Sequence, residues 1–292
     1  MKTFAVTGAT GAVGRVVAWR LQSLGHEVRR VCRSAGVPID DRAGLARSFT
    51  GADGVFVMVP FDTSAPDLHQ REAEIAAKLA DAVRAAAVPR VILLSGTSAH
   101  LGPQAGSGFG AAMMEERLDR LVIPELLHLR GCFFMENHLQ GLPAIIGTGV
   151  YGWAFRPDRP TPMIAASDIG EEAAKLLTEQ PFRQPRVREL LGPRDYTMAE
   201  AAGVLGTAIG MPDLEYRQLP YEDARAAMVR AGMSASFAEA VTQTARSFND
   251  GQEWETGQRS AENTTATTLE QFAHRTFRPA YESALAGSKP RR

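Results

Sequence analysis

Three glycines near the start of the chain are spaced to receive an anion. Thr7-Gly8-Ala9-Thr10-Gly11-Ala12-Val13-Gly14 carries them as G-x-x-G-x-x-G. In a loop of this kind the first glycine, here Gly8, makes the tight turn. The second, Gly11, lets the backbone approach a pyrophosphate, and the third, Gly14, lets a helix pack closely on a strand. The helix that follows then offers unbonded N–H groups and the positive end of its dipole to the anion. A glycine-rich turn that holds nothing has the same composition, so context decides. Here a strand-like run precedes the loop and an amphipathic helix follows it, as the motif requires.

A second signal lies about 20 residues on, where an acidic residue for the ribose 2′-hydroxyl marks NAD preference. The second strand-like run ends Val31-Cys32-Arg33-Ser34, without Asp or Glu. Arg33 can pair instead with a 2′-phosphate through its forked donors. The expected cofactor is NADP(H).

The elements around these residues alternate in period. Phe4–Thr7, Val28–Cys32, Val55–Val59, Val91–Leu94 and Leu126–Leu129 read as strands. Val13, Val16, Val17, Leu21 and Leu24 form a helical stripe that Gly25 stops, and residues 71–87 and 110–121 read as helices. Strands alternating with helices predict a doubly wound α/β sheet of parallel, Rossmann-type strands, and fully apolar strands fit a sheet covered on both faces. After about residue 150 prolines punctuate short helical stretches. The expectation is a nucleotide-binding domain over residues 1–150 and a smaller, irregular, mostly helical region over 151–292 that interleaves with the sheet and binds substrate. Thr197 with Glu200 reads as a capping box, and Phe248-Asn249-Asp250-Gly251 as a turn.

Composition narrows the class. Lys+Arg is 32 against 33 Asp+Glu in 292 residues, a net charge of −1, which argues against a nucleic-acid partner. Two cysteines, Cys32 and Cys132, make neither a disulfide scaffold nor a metal site and suit a reducing cytoplasm. No apolar run reaches the ~18 residues of a membrane span. The expected partner is a small molecule, with the chain a monomer or homodimer in the cytoplasm. Trp254 is a candidate for closing a pocket or making a subunit contact.

Several segments together resemble the NmrA-like branch of the atypical short-chain dehydrogenase/reductases, which includes NAD(P)H-dependent quinone- and azo-reductase-like proteins. They are the T-G-A-T-G-x-x-G loop, Arg33, Ser95-Gly96, Leu129-Arg130-Gly131-Cys132-Phe133-Phe134-Met135-Glu136-Asn137, Ser167-Asp168-Ile169-Gly170 with Ala173-Ala174, and Leu191-Gly192-Pro193 through Thr197 and Glu200. The resemblance implies that Thr10, Ala12 and Val13 line the phosphates. It also implies that Asp40 or Asp41 reaches the adenine side and that Val59-Pro60-Phe61 and Ser95-Gly96 approach the nicotinamide.

Most short-chain reductases pair a carbonyl-polarising serine with Y-x-x-x-K, whose tyrosine gives the proton and whose lysine lowers the tyrosine pKa. Ser95 fills the first role. Phe109 and Met113 stand where the tyrosine and lysine would be, so the two are expected at the substrate instead. No tyrosine precedes residue 150, and the lysines there are Lys2 and Lys78. Either the acceptor needs little acid help, as a quinone or conjugated enone would, or a substitute acid exists. His100, Glu115, Glu116 and His138 are the candidates. Phe134, Asn137 and Trp153 are expected to wall the substrate. The reading is an NADPH-dependent reductase of a small conjugated or aromatic carbonyl or quinone. The alternatives are a non-catalytic NADP(H) sensor and a tailoring reductase for a polyketide-like substrate.

Overall fold

Phe4, Ala5, Val6, Val55, Phe56, Val91 and Ile92 expose none of their surface. Adjacent residues of a strand point to opposite faces, so these strands are covered on both sides. The structure, a computed structural model, describes residues 1–179, 186–252 and 258–288; Trp254 lies outside them. The first half runs β1 (Thr3–Thr7), α1 (Gly14–Ser23), β2 (Glu27–Val31), α2 (Arg42–Phe49), β3 (Gly54–Val57), α3 (Leu68–Ala85), β4 (Arg90–Gly96), α4 (Phe109–Asp119) and β5 (Glu125–Gly131). The rest adds β6 (Phe133–Phe134), α5 (Leu142–Thr148), β7 (Tyr151–Trp153), β8 (Thr161–Ile164), α6 (Ala166–Thr178), β9 (Val187–Leu190) and β10 (Asp195–Tyr196). Then follow α7 (Met198–Ala208), β11 (Tyr216–Gln218), α8 (Tyr221–Arg230), α9 (Ala235–Asn249), α10 (Leu269–Phe272) and α11 (Arg278–Ser288).

Six strands form one sheet in the order β2-β1-β3-β4-β5-β9, every pair parallel. One core layer lies between the sheet and α1 and α6, and the other between the sheet and α2, α3 and α4. The sheet is the α/β, Rossmann-type arrangement that the alternation predicts. The strand order reverses at β1, which places a crevice outside the carboxyl ends of β1 and β3.

The second half is mostly helical, as its composition suggests, with short strands besides. It contributes short strands, including the sixth of the main sheet, a three-stranded set β10-β8-β6 and the pair β11-β7. Strands of two to four residues are too short to show a period. A third core layer, with Phe133, Tyr151, Phe155, Tyr196 and Phe248, holds this part together.

Two helix boundaries also differ from the sequence reading. α3 begins earlier because Asp67 caps it, accepting from the backbone N–H of Gln70 at 3.0 Å. The segment Phe248–Gly251 is a helix end rather than a free turn. α9 runs through Asn249, and Gly251 takes the left-handed conformation, φ 82°, that stops it. The capping box at Thr197 and Glu200 is formed.

Candidate active site

The glycine loop leaves β1 at its carboxyl end. Gly8 has φ 61°, a conformation costly to any residue with a Cβ. A Cβ at Gly14 would stand 2.7 Å from the carbonyl carbon of Gly8 and 3.0 Å from Thr7 O, and it would overlap the Gly8 carbonyl oxygen outright. The absent side chain therefore lets α1 lie against the strand end. Thr10, Gly11 and Ala12 are exposed and Val13 is buried beneath them. The backbone N–H groups of Ala12 and Val13 find no acceptor among the described residues. Gly170 supports the arrangement from behind, since a Cβ there would meet Val16 Cβ at 2.6 Å and Val13 O at 3.0 Å. The Glu136 carboxylate accepts from Ala166 N at 3.0 Å and caps α6, and Asp168 accepts from Thr267 N at 2.9 Å and from its hydroxyl at 2.6 Å. The M-E-N and D-I-G segments thus brace the helix that backs the loop.

Arg33, just past β2, is exposed, and its guanidinium has no partner among the described residues. Asp40 is committed elsewhere. It pairs with Arg71 at 2.5 Å and with Lys78, and the two cations hold its carboxyl well below the usual range. Asp41 caps α2 through Gly44 N at 2.9 Å. The residues present fit a phosphorylated dinucleotide: a cradle that a Cβ would fill, free N–H donors and an unpaired guanidinium.

A cavity of about 260 Å³ opens beside this loop. Thr7 Oγ1 accepts from Met58 N at 2.9 Å, and Met58 lines the cavity. The walls come from the strand ends after β3, β4 and β5, from the 97–108 segment, and from α9. That segment is pinned to α9: Ser107 N and Oγ each meet Thr244 Oγ1 at 2.9 Å. Phe134, Asn137 and Trp153 line the cavity, joined by Phe133, Phe155, Phe237 and Phe248. Phe133, Trp153, Phe155 and Phe248 pack edge to face, with Phe133 on Trp153 and Phe155 at 5.9 and 5.5 Å. Ser95 and Gly96 line it too, and Ser95 Oγ is buried with no hydrogen-bond partner. A larger groove beside α1 and α6 is open, and its wall includes the ion-paired Arg20, Glu171, Glu172 and Lys175.

Other expected residues stand apart from the cavity. Pro60 sits between two lining residues without lining it. Phe109 turns its ring onto His69, 5.2 Å between centroids, and Met113 also lies off the wall. Their helix presents Ala111 instead, because each residue step turns a helix by roughly 100°. His100 is exposed, with Nδ1 2.9 Å from Thr97 O. Glu116 pairs with Arg120 on the surface, and Glu115 is locked to Arg130. Cys132 lines the cavity, but burial pushes its thiol up to about 12, so it offers no thiolate.

His138 is buried, with Nδ1 2.6 Å from Tyr151 Oη, and burial pushes it down to about 3. In the unfolded chain it takes a proton near 6.5. The unfolded state therefore binds more protons between about 6.5 and 3, and stability rises with pH across that window. We expect stability to be complete above about pH 6.5 and to fall by up to about 1.4 kcal/mol per unit below it. Urea titrations at pH 7 and 5 check this. A His138→Gln protein should show a flatter dependence, and an unchanged slope would assign the effect to other groups.

Sequence reasoning missed Glu72, which also lines the cavity. Its signal was available. Leu68, Glu72, Ile75 and Leu79 form the buried stripe of α3, and a carboxylate occupies one apolar position of that stripe.

Comparison with known proteins agrees with this architecture. A reductase of Streptomyces griseus, (4-alkanoyl-5-oxo-2,5-dihydrofuran-3-yl)methyl phosphate reductase, is 30% identical over 287 residues, 94% of each chain. The crystal structure of an Escherichia coli NADPH-dependent quinone oxidoreductase complexed with NADPH superposes with a TM-score of 0.76. It is 21% identical, with 94% of this chain and 99% of that one covered. Triphenylmethane reductase of Citrobacter sp., complexed with NADP(H), gives 0.71 at 18% identity, with 93% and 98% covered. The model of the NmrA-like family matches residues 1–273. With a glycine loop braced by the D-I-G helix and a cavity behind the M-E-N segment, the chain belongs to the NmrA-like family.

Proposed function

We propose that the protein is an NADPH-dependent reductase of a small, neutral, conjugated or aromatic carbonyl or quinone. The observation that carries this is the cavity beside the glycine loop. It is walled by aromatic rings, it holds an unpartnered serine hydroxyl, and its described lining has no Lys or Arg. The reduced nicotinamide, when bound, supplies a hydride. The loop N–H groups and the start of α1 hold the pyrophosphate, and Arg33 takes the 2′-phosphate. Ser95 donates its hydroxyl to the acceptor oxygen, which meets its own unmet hydrogen bond. The rings of Phe133, Phe134 and Trp153 hold a flat acceptor and exclude water. The Streptomyces relative is named for a conjugated lactone, which supports the acceptor class. That substrate also carries a phosphate, for which this cavity's described wall has no cation.

The test is NADPH oxidation against a panel of quinones, enones, saturated ketones and azo dyes. Turnover is expected with neutral quinones or enones. Tight NADPH binding with no acceptor reduced would overturn the reading in favour of a sensor. For Arg33→Ala, we expect the NADPH dissociation constant to rise about 10- to 100-fold, the worth of a lost charge-assisted contact of roughly 1.5–3 kcal/mol. NADH binding should stay within about twofold. Equal losses for both cofactors would remove Arg33 from 2′-phosphate recognition.

A further inference from the structure

The described lining of the cavity contains two ionisable side chains, Cys132 and Glu72. The thiol is held in its neutral form, as described above. The Glu72 side chain is only 1% exposed. Its Oε2 lies 3.0 Å from His69 Nδ1, while Oε1 is buried with no hydrogen-bond partner. The slot it occupies is left open by a glycine. A Cβ at Gly110 of α4 would stand 2.6 Å from the Glu72 carboxyl carbon. A carboxylate buried only to fill space would be expected to satisfy both oxygens, because an unpaired buried charge is expensive. A protonated carboxyl with one unpaired oxygen is far cheaper. Burial raises the Glu72 carboxyl, and the hydrogen bond to His69 only partly offsets this. No other lining residue, from the strand ends, the 97–108 segment, α4 or α9, brings a titratable group.

We propose that Glu72 is the proton donor that replaces the missing tyrosine, and that His69 recharges it from solvent. The step rests on the reductase reading above. The acceptor carbon gains a hydride equivalent from the reduced dinucleotide, which is thereby oxidised. The O–H bond of Glu72 breaks, its proton forms the O–H bond of the reduced acceptor, and the electron pair stays on the carboxylate. His69 then returns its Nδ1 proton to that carboxylate while Nε2 takes one from water. With 35% of its side chain exposed, His69 connects Glu72 to the solvent. Its ring is held edge-on by Phe109, the residue standing where the tyrosine would be. Buried carboxylic acids in apolar pockets are suited to this role because they keep their proton near neutral pH.

The experiment compares wild type with Glu72→Gln, which keeps the shape and removes the acid. We expect kcat to fall about 100-fold or more, NADPH affinity to stay within about twofold, and the alkaline limb of the kcat–pH profile to disappear. In the dinucleotide-free protein at pH 7, infrared difference spectroscopy should show a protonated carboxyl band that Glu72→Gln removes. Unchanged turnover and pH profile, or an ionised Glu72 in the free protein, would overturn the step while leaving the reductase reading intact. A wild type that reduces no acceptor overturns both. Should Glu72→Gln not fold, the more exposed His69→Ala decides. Its kcat should drop and recover with added imidazole, and wild-type turnover without imidazole would overturn the proposal.

Discussion

Gly14→Val is expected to raise the NADPH dissociation constant by about 100-fold, equivalent to roughly 2.7 kcal/mol, and to lower stability as well. The first carbon of any side chain at this position overlaps the Gly8 carbonyl oxygen and comes within 2.7 Å of the Gly8 carbonyl carbon. Neither neighbour is a flexible side chain. Both belong to the turn that the cofactor must approach, so relief requires moving α1 away from β1 or unfolding the turn. Overpacking of this kind costs about 1–3 kcal/mol in stability, and the shifted N–H groups of Ala12 and Val13 lose their aim at the anion. Isothermal titration with NADPH and a thermal melt measure the two effects separately. Gly203→Ala is the control. It lies within α7 with no atom within 4 Å of an added Cβ, so replacing a helical glycine there should be neutral or mildly stabilising. Full NADPH affinity in Gly14→Val would mean that the loop does not hold the pyrophosphate.

Glu115→Ala is expected to destabilise the protein by about 1.5–3 kcal/mol, the worth of buried charge-assisted hydrogen bonds lost from one side. Glu115 accepts from Arg130 Nε at 2.9 Å and Nη2 at 2.7 Å, a bidentate pair with side chains only 9% and 7% exposed. The arginine cannot give up its charge, so removal of the carboxylate takes away its buried, bidentate partner. Scaling the loss to a chain of this size gives a melting temperature lower by roughly 2–5 °C. Turnover should fall too, because Arg130 on β5 pairs in register with Ser95 on β4. Glu115→Gln, which keeps the shape without the charge, should lie between. A loss below about 1 kcal/mol in Glu115→Ala would show that other contacts of Arg130 suffice. The sequence alone offers Glu115 as a candidate acid. The structure shows its carboxylate already spent on holding two elements together.

Much of the nucleotide half is written locally. Gly8, Gly11 and Gly14 between a strand and a helix are read from a dozen consecutive residues, because a tight turn and a close helix approach constrain those residues themselves. The same holds for Arg33 at a strand end, for the apolar runs at 55–59 and 91–94, and for the absence of any tyrosine before residue 150. The sequence by itself determined the parallel α/β sheet, the loop, the expected choice of dinucleotide and the lack of the usual proton relay. The tertiary structure decided who meets whom in the cavity. Its wall draws on residues from Met58 to Phe248, which no local pattern connects. Phe109 and Met113 fell off that wall, and Ala111 onto it, through a rotation of a fraction of a turn on one helix. β9 joined the sheet from a segment with only four residues of strand. Glu72 shows the division most clearly. Its place on a buried helical stripe is visible in the spacing of Leu68, Ile75 and Leu79. Which groups lie opposite it depends on Gly110 of α4 leaving room for a carboxyl, and on Ser95 sharing the same cavity. Periodicity tells which face of a helix is buried, and only packing tells what that face is buried against.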